Sequence, residues 1–350
     1  MSGPLLQVRD LQVRFTTEDG IVRAVDHVSF ELSPGEVLAI VGESGSGKSV
    51  TAQTLMGLTR SPNATIEGSI TYGDGDHGDG DRELVTASEE ELRGIRGEEI
   101  AMIFQDPMTS LNPVYRVGKQ IIEAIEAHRD TSDEAARDRA VELLAAVGIP
   151  DARRRVDNYP HEYSGGMRQR AMIAMALALE PKVLIADEPS TALDVTIQAQ
   201  ILRLIERLNR ERDLAVILIT HDLGVVAEVA DRVLVMYAGR IVEAGTLEQI
   251  FYDPQHPYTW GLLGSLARPD RPAERRLSQI AGQPPSLLAP PQGCHFRPRC
   301  PHEFDRCPQV PALEVRAGAS HADRCWLSPE QKKSLRVVET GDIGLEAPAA

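Results

Sequence analysis

A chain of 350 residues with 42% hydrophobic content has room for two domains and buries a core of ordinary size. Its 52 acidic against 37 basic residues leave a formal net charge of -15, the wrong sign for nucleic-acid binding or for adhesion to an anionic lipid surface. No apolar signal-peptide core lies between Met1 and Asp10, and the most apolar stretches, such as Ala171–Leu179 and Val216–Ile219, are too short to cross a bilayer. A cytoplasmic protein is therefore expected.

Short apolar runs bounded by Gly and Pro recur at Val37–Val41, Ile100–Phe104, Val183–Ala186, Val216–Ile219 and Val233–Met236. Runs of that length predict strands buried on both faces of a helix-covered sheet. The first is followed by Gly42-Glu43-Ser44-Gly45-Ser46-Gly47-Lys48-Ser49, a phosphate-loop pattern in its required place between a strand and a helix. Glycines there let backbone N–H groups curl around phosphate oxygens, and the helix start adds partial positive charge. Lys48 is expected to reach the β- and γ-phosphates and Ser49 to ligate Mg²⁺.

Farther on, Tyr72–Arg82 is rich in Gly and Asp. Counted from Asp74, a calcium loop would need Gly and Glu where Asp79 and Val85 stand, so a solvated loop is predicted. Thr131–Leu179 reads as a mostly helical lobe. Val183–Ala186 ends in Asp187-Glu188, placing one acid beside a metal and leaving the next to orient and deprotonate a water. Ile197, Ile201, Leu204 and Leu208 then recur at helical spacing and predict an amphipathic helix. Alternation of strands and helices indicates an α/β fold with a largely parallel sheet.

Pro254–Pro291 reads as a Pro/Arg-rich linker, and the tail beyond about Val337 as disordered. Between them lie Cys294, Cys300, Cys307 and Cys325, spaced C-x5-C-x6-C-x17-C. In a reducing compartment such clustering suggests a metal site rather than disulfides. The first gaps match neither zinc knuckles nor common ferredoxin spacings, so the spacing alone leaves unligated thiols open. Arg297, Arg299, Arg306 and Arg324 flank the cysteines and are expected to favour thiolates.

Tyr163-Ser164-Gly165-Gly166-Met167-Arg168-Gln169-Arg170 resembles the signature of ABC ATPases, usually written LSGGQ. Other elements of that family follow in order. Gln105 stands in the Q-loop place, Ser190–Asp194 resembles the D-loop, and His221 sits at the switch-histidine position. Phe15 takes the place of the aromatic that stacks on adenine. The resemblance covers about Leu5–Asp253. YSGGM, FQDPMTSLNP from Phe104, HPYTWGLL from His256 and the cysteine-bearing end are similar to the D-type ATPase of oligopeptide and dipeptide importers.

That resemblance implies a P-loop NTPase: a RecA-like core with an ABC helical subdomain and an antiparallel β subdomain, plus a small Cys-containing C-terminal extension. Residues 1–253 would form the nucleotide-binding domain, 254–336 the extension and 337–350 a tail. It further implies an ATPase in which Lys48, Ser49, Gln105, Asp187, Glu188 and His221 serve the chain's own ATP. Ser49, Gln105 and Asp187 would hold Mg²⁺; Ser164, Gly165 and Gly166 would meet the partner's nucleotide across a head-to-tail dimer, and Asp194 would be a further nucleotide-binding residue. The implied partners are a second, different ATPase, two permeases and an external peptide-binding protein, with the chain on the cytoplasmic membrane face. The four cysteines would hold a [4Fe–4S] cluster, or alternatively zinc, apart from the phosphate chemistry. Nickel or another small nutrient is the rival cargo, and an ABC ATPase of DNA maintenance is disfavoured by charge.

Overall fold

The structure, a computed structural model, describes residues 3–73, 81–106, 110–189, 195–265, 280–315 and 320–340. Asp74, Asp76, Asp79, the D-loop stretch Ser190–Asp194, residues 266–279 of the Pro/Arg-rich linker and the last ten residues of the tail lie outside the described residues. The chain divides into two compact units that interleave in sequence. One comprises Met1–Leu6, Leu32–Val37 and Thr71–Ile219; the other comprises Gln7–Glu31, Leu38–Ile70 and Thr220–Ala350.

The strands in chain order are β1 (Leu6–Thr17), β2 (Gly20–Leu32), β3 (Val37–Val41), β4 (Ala64–Tyr72), β5 (Arg82–Glu83), β6 (Ile100–Ile103), β7 (Val183–Asp187), β8 (Ala215–Thr220), β9 (Arg232–Tyr237), β10 (Arg240–Thr246), β11 (Glu314–Val315) and β12 (Ala322–Asp323). In the first unit β6, β7 and β8 run parallel, with Ile100 opposite Val183 and Asp187 opposite Ile219. Every residue of the three is buried or, in β8, likewise buried throughout. This is why they read as unbroken apolar runs.

The helical lobe of this unit contains Val117–Glu126, Asp133–Ala146 and Gly165–Ala176. The helix Asp133–Ala146 starts where the Ser132 hydroxyl accepts the Ala135 amide at 3.3 Å, an N-cap supported by Asp133 and Glu134 in the first turn. The amphipathic helix spans Val195–Arg212 and buries Ile201, Leu204, Ile205 and Leu208.

In the second unit β2, β1 and β4 are neighbours in one sheet. Its other sheet runs β3 parallel to β9, β9 antiparallel to β10, β10 antiparallel to β12, and β12 antiparallel to β11. The cysteine-bearing region is built into this unit. Phe296 is 2% exposed and packs its ring 5.3 Å from Tyr237 and 5.4 Å from Tyr258, centroid to centroid.

Buried charge secures the junction. Glu243, fully buried, accepts the Gln255 and His256 amides at 2.6 and 2.9 Å, and His321 Nε2 lies 2.8 Å from its Oε1. Lys332 donates to Asp323 at 2.7 Å with both side chains 1% exposed. A buried carboxylate is tolerated only with such partners. Asp323→Ala should therefore strand the Lys332 ammonium and cost about 3–5 kcal/mol. A urea titration of the isolated chain should show the matching fall in unfolding midpoint.

Candidate functional site

The phosphate-loop residues leave buried β3 and turn through Gly42, Gly45 and Gly47 at φ 152, 76 and 102°. Only glycine adopts the last two freely. Space is as restrictive as conformation. A Cβ on Gly42 would stand 2.2 Å from the Met236 carbonyl oxygen, and one on Gly47 2.3 Å from that of Ala24. The loop is thus wedged against the backbones of β9 and β2.

Lys48 opens the helix Lys48–Leu55, whose N-cap is Gly47 and carries no side-chain cap. Its ammonium, buried at 5% residue exposure, donates to the Gly42 carbonyl at 2.8 Å and the Glu43 carbonyl at 3.0 Å. The cation therefore closes the loop on itself in the place where phosphate oxygens are expected. Ser44 and Gly45 are exposed, Ser46 is buried and Ser49 half-buried. Phe15 is half-buried on β1 and His221 exposed at the end of β8, next to Asp222, which caps the helix Leu223–Val229 by accepting the Gly224 amide at 2.8 Å.

In the other unit, Asp187 ends β7 at 3% exposure. Glu188 follows with φ 47°, a left-handed backbone that is strained for a side chain of this size. Its amide donates to the Ile219 carbonyl at 2.9 Å, so the turn is fixed by β8. Its carboxylate accepts the Gln105 side-chain amide at 3.0 Å. Two residues 83 positions apart, both singled out from sequence, are therefore brought together here. Ser164 caps the helix Gly165–Ala176 by accepting the Met167 amide at 3.3 Å. Ser164 and Gly165 are exposed and Gly166 half-buried, so the signature faces outward. Tyr163 is buried instead and donates to the Arg155 carbonyl at 2.9 Å.

Cys294, Cys300, Cys307 and Cys325 line a single cavity with His256, His302 and Trp326 among its other walls. Burial raises the Cys294 thiol above its ordinary range and pushes Cys300 and Cys325 up to about 12. The expected help from flanking arginines does not materialise. Arg306 stacks over Trp326 at 3.7 Å, Arg324 donates to the Ile241 carbonyl at 2.7 Å, and Arg297 pairs with Glu303. The cations that lower the thiols are Arg240 for Cys294 and Lys332 for Cys325, and burial outweighs both. Among the described residues no group of three or more His, Cys, Asp or Glu is arranged to hold a metal ion. Neither group expected from sequence, the iron–sulfur cluster or zinc, therefore finds a ready ligand set among the described residues.

Sequence reasoning did not connect Tyr258 or Arg299 with the phosphate loop. The Glu43 amide donates to the Tyr258 hydroxyl at 2.9 Å, and Arg299 grips the Glu43 carboxylate. The HPYTW motif was visible as a motif, but no local signal tied it to the phosphate loop. Among the described residues no helix is long and apolar enough to cross a membrane.

Known proteins agree with this geometry. The ABC transporter family model matches residues 25–191, and the oligopeptide/dipeptide transporter C-terminal region matches 242–307. The dipeptide transport ATP-binding protein DppD of Bacillus subtilis (strain 168) is 53% identical over 340 residues, 97% of this chain and 98% of that protein. The oligopeptide transport ATP-binding protein OppD of Escherichia coli (strain K12) is 54% identical over 310 residues, 89% of each. Among solved structures, the dimeric bacterial ABC transporter cassette MJ0796 superposes with a TM-score of 0.60 at 28% identity, covering 69% of this chain and 98% of the other.

The wedged loop gives a direct test. Gly47→Ala must relieve a 2.3 Å clash and a φ of 102°. Strain of about 1–3 kcal/mol should weaken ATP binding about tenfold or more by equilibrium titration.

Proposed function

The chain belongs to the ATP-binding proteins of ABC transporters, in the branch that carries the oligopeptide/dipeptide C-terminal region, and on that premise we propose that it energises uptake of di- and oligopeptides through two membrane permeases. It is an ABC-type ATPase. The cargo reading is supported by identity above half to dipeptide and oligopeptide transport proteins over nearly the whole chain. In this reading the chain sits on the cytoplasmic membrane face, beside a second, different ATPase, and takes peptides that an external binding protein delivers. Residues 1–253 act as the cassette and 254–336 as the extension.

The observation that carries the hydrolytic assignment is the Gln105–Glu188 hydrogen bond at the end of a buried parallel strand. Glu188 accepts the proton of the attacking water, and Gln105 orients its carboxylate. Lys48 trades its two loop carbonyls for phosphate oxygens, and loop amides from Ser44 to Ser49 carry the remaining charge. Ser49, Asp187 and Gln105 offer the oxygen donors that suit Mg²⁺, which when bound neutralises phosphate charge. Phe15 stacks on the adenine, and His221 serves catalysis as the switch histidine. Ser164, Gly165 and Gly166 act on the partner's nucleotide, and Asp194 is a further nucleotide-binding residue.

The transporter reconstituted in vesicles tests this reading. Glu188→Gln should retain ATP while its turnover falls by about 10²-fold or more; Lys48→Ala should lose ATP affinity itself. Peptide uptake should stop in both. Uptake of peptide by the Glu188→Gln transporter at an unchanged rate would contradict the assignment.

The cysteine cavity is assigned to a [4Fe–4S] cluster with a structural or sensing role. Support comes from the four thiols that line it. Burial raises the Cys294, Cys300 and Cys325 thiols, so a positive centre would be needed to hold them as thiolates. Anaerobic purification should yield about four irons and four sulfides per chain. Sulfide-free zinc, or no metal at all, would remove this assignment.

A further inference from the structure

Glu43 is the second residue of the phosphate loop, and it is held from three directions. Its amide donates to the Tyr258 hydroxyl at 2.9 Å. Its carbonyl accepts the Lys48 ammonium at 3.0 Å. Its carboxylate takes a two-point grip from Arg299, Nη1 to Oε2 at 2.6 Å and Nη2 to Oε1 at 3.0 Å. One residue thus links the lysine that is to bind phosphate with two residues that follow the cassette in sequence.

Arg299 is itself immobilised. Its side chain is 5% exposed. Nε donates to the Ala281 carbonyl at 2.9 Å, Nη2 to the Ile280 carbonyl at 3.3 Å and Nη1 to the Tyr237 hydroxyl at 3.2 Å. A planar fork fixed at all three nitrogens transmits position rather than merely charge. Tyr237 and Tyr258, whose hydroxyls touch Arg299 and the Glu43 amide, pack ring against ring at 4.6 Å, with Phe296 wedged beside both. An exposed surface pair would contribute little; this one is mostly desolvated and anchored in the core.

We infer that Arg299 is a positioning residue for the phosphate loop: by gripping Glu43 it sets the backbone from which Lys48 engages a nucleoside triphosphate. The C-terminal region is then a working part of the nucleotide site, not an appendage to it. The inference rests on the reading that Gly42–Ser49 binds ATP. It adds a residue outside every cassette motif, 256 positions from its partner. The grip acts on affinity: the Arg299 side-chain donors go to Glu43, Tyr237, Ile280 and Ala281, which leaves the chemical step alone.

The test is a double-mutant cycle on the assembled transporter, with ATP affinity measured by titration and KM and kcat by phosphate release. Arg299→Ala and Glu43→Ala should each weaken ATP binding and raise KM about fivefold or more, the scale of coupling within one charged network. In Arg299→Ala kcat should change less than about twofold, since only uniform binding is lost. The double variant should be no worse than either single change. Arg299→Lys should recover only part, because an ammonium cannot fork.

A purely structural role would instead lower thermal stability and leave the split between KM and kcat unmoved. Glu43→Ala, on the more exposed side of the pair, keeps the cycle informative should Arg299→Ala fold poorly. Unchanged ATP affinity in both single variants, or losses that add in the double variant, would overturn the role. Lys48→Ala is measured alongside. Full ATP affinity in that variant would remove the premise; lost affinity there, with Arg299→Ala and Glu43→Ala at wild-type values, overturns the inference alone.

Discussion

The phosphate loop has room for no side chain where it meets the backbones of β2 and β9. Gly47 lies against the Ala24 carbonyl and Gly42 against that of Met236, so those two strands set where the loop runs. β3 delivers the chain to it from a fully buried position, and the helix from Lys48 carries it away. Loop shape is therefore a property of the surrounding sheet rather than of eight residues alone. Such a cradle is preorganised for anions, since its amides and the helix start are fixed before any ligand arrives.

The same economy explains the C-terminal region. A segment with few apolar residues cannot build its own core. Here it borrows one: Phe296 enters the cluster formed by Tyr237 and Tyr258, and β12 extends the sheet by pairing with β10. The charges it buries are matched, Glu243 by two amides and His321, Asp323 by Lys332. Among the described residues, Tyr258, Leu263 and Ile280 of the stretch that reads as a linker, with Cys294 and Cys300, pack on the core around β9 and β10.

Legibility followed burial. β3, β6, β7, β8 and β9 were readable to within a residue or two because strands covered on both faces are apolar throughout. β1, β2 and β4 carry one wet face, and their mixed pattern, such as alternating exposure along Ala64–Tyr72, did not separate from loop by eye; the family resemblance supplied them. β12, two residues long, exists only through its partner β10. The glycine loop and the acids at the end of β7 were legible because each requires particular residue types at fixed spacing; Gln105 came from the family resemblance. Arg299 was counted as a possible thiolate-favouring cation near Cys300. Its real partner, Glu43, is remote in sequence, and no local pattern encodes such a pair. Nor does composition report desolvation, which is why burial, not the flanking arginines, governs the thiols.

The central claim is that Gly42–Ser49 is where this chain holds the phosphates of ATP. Amide hydrogen exchange of the wild-type chain, with and without MgATP, measures that directly at the atoms concerned. Binding should slow exchange across Ser44–Ser49, the amides that close on phosphate oxygens. Saturating MgATP that protects other segments while leaving exchange from Ser44 to Ser49 unchanged would contradict the account.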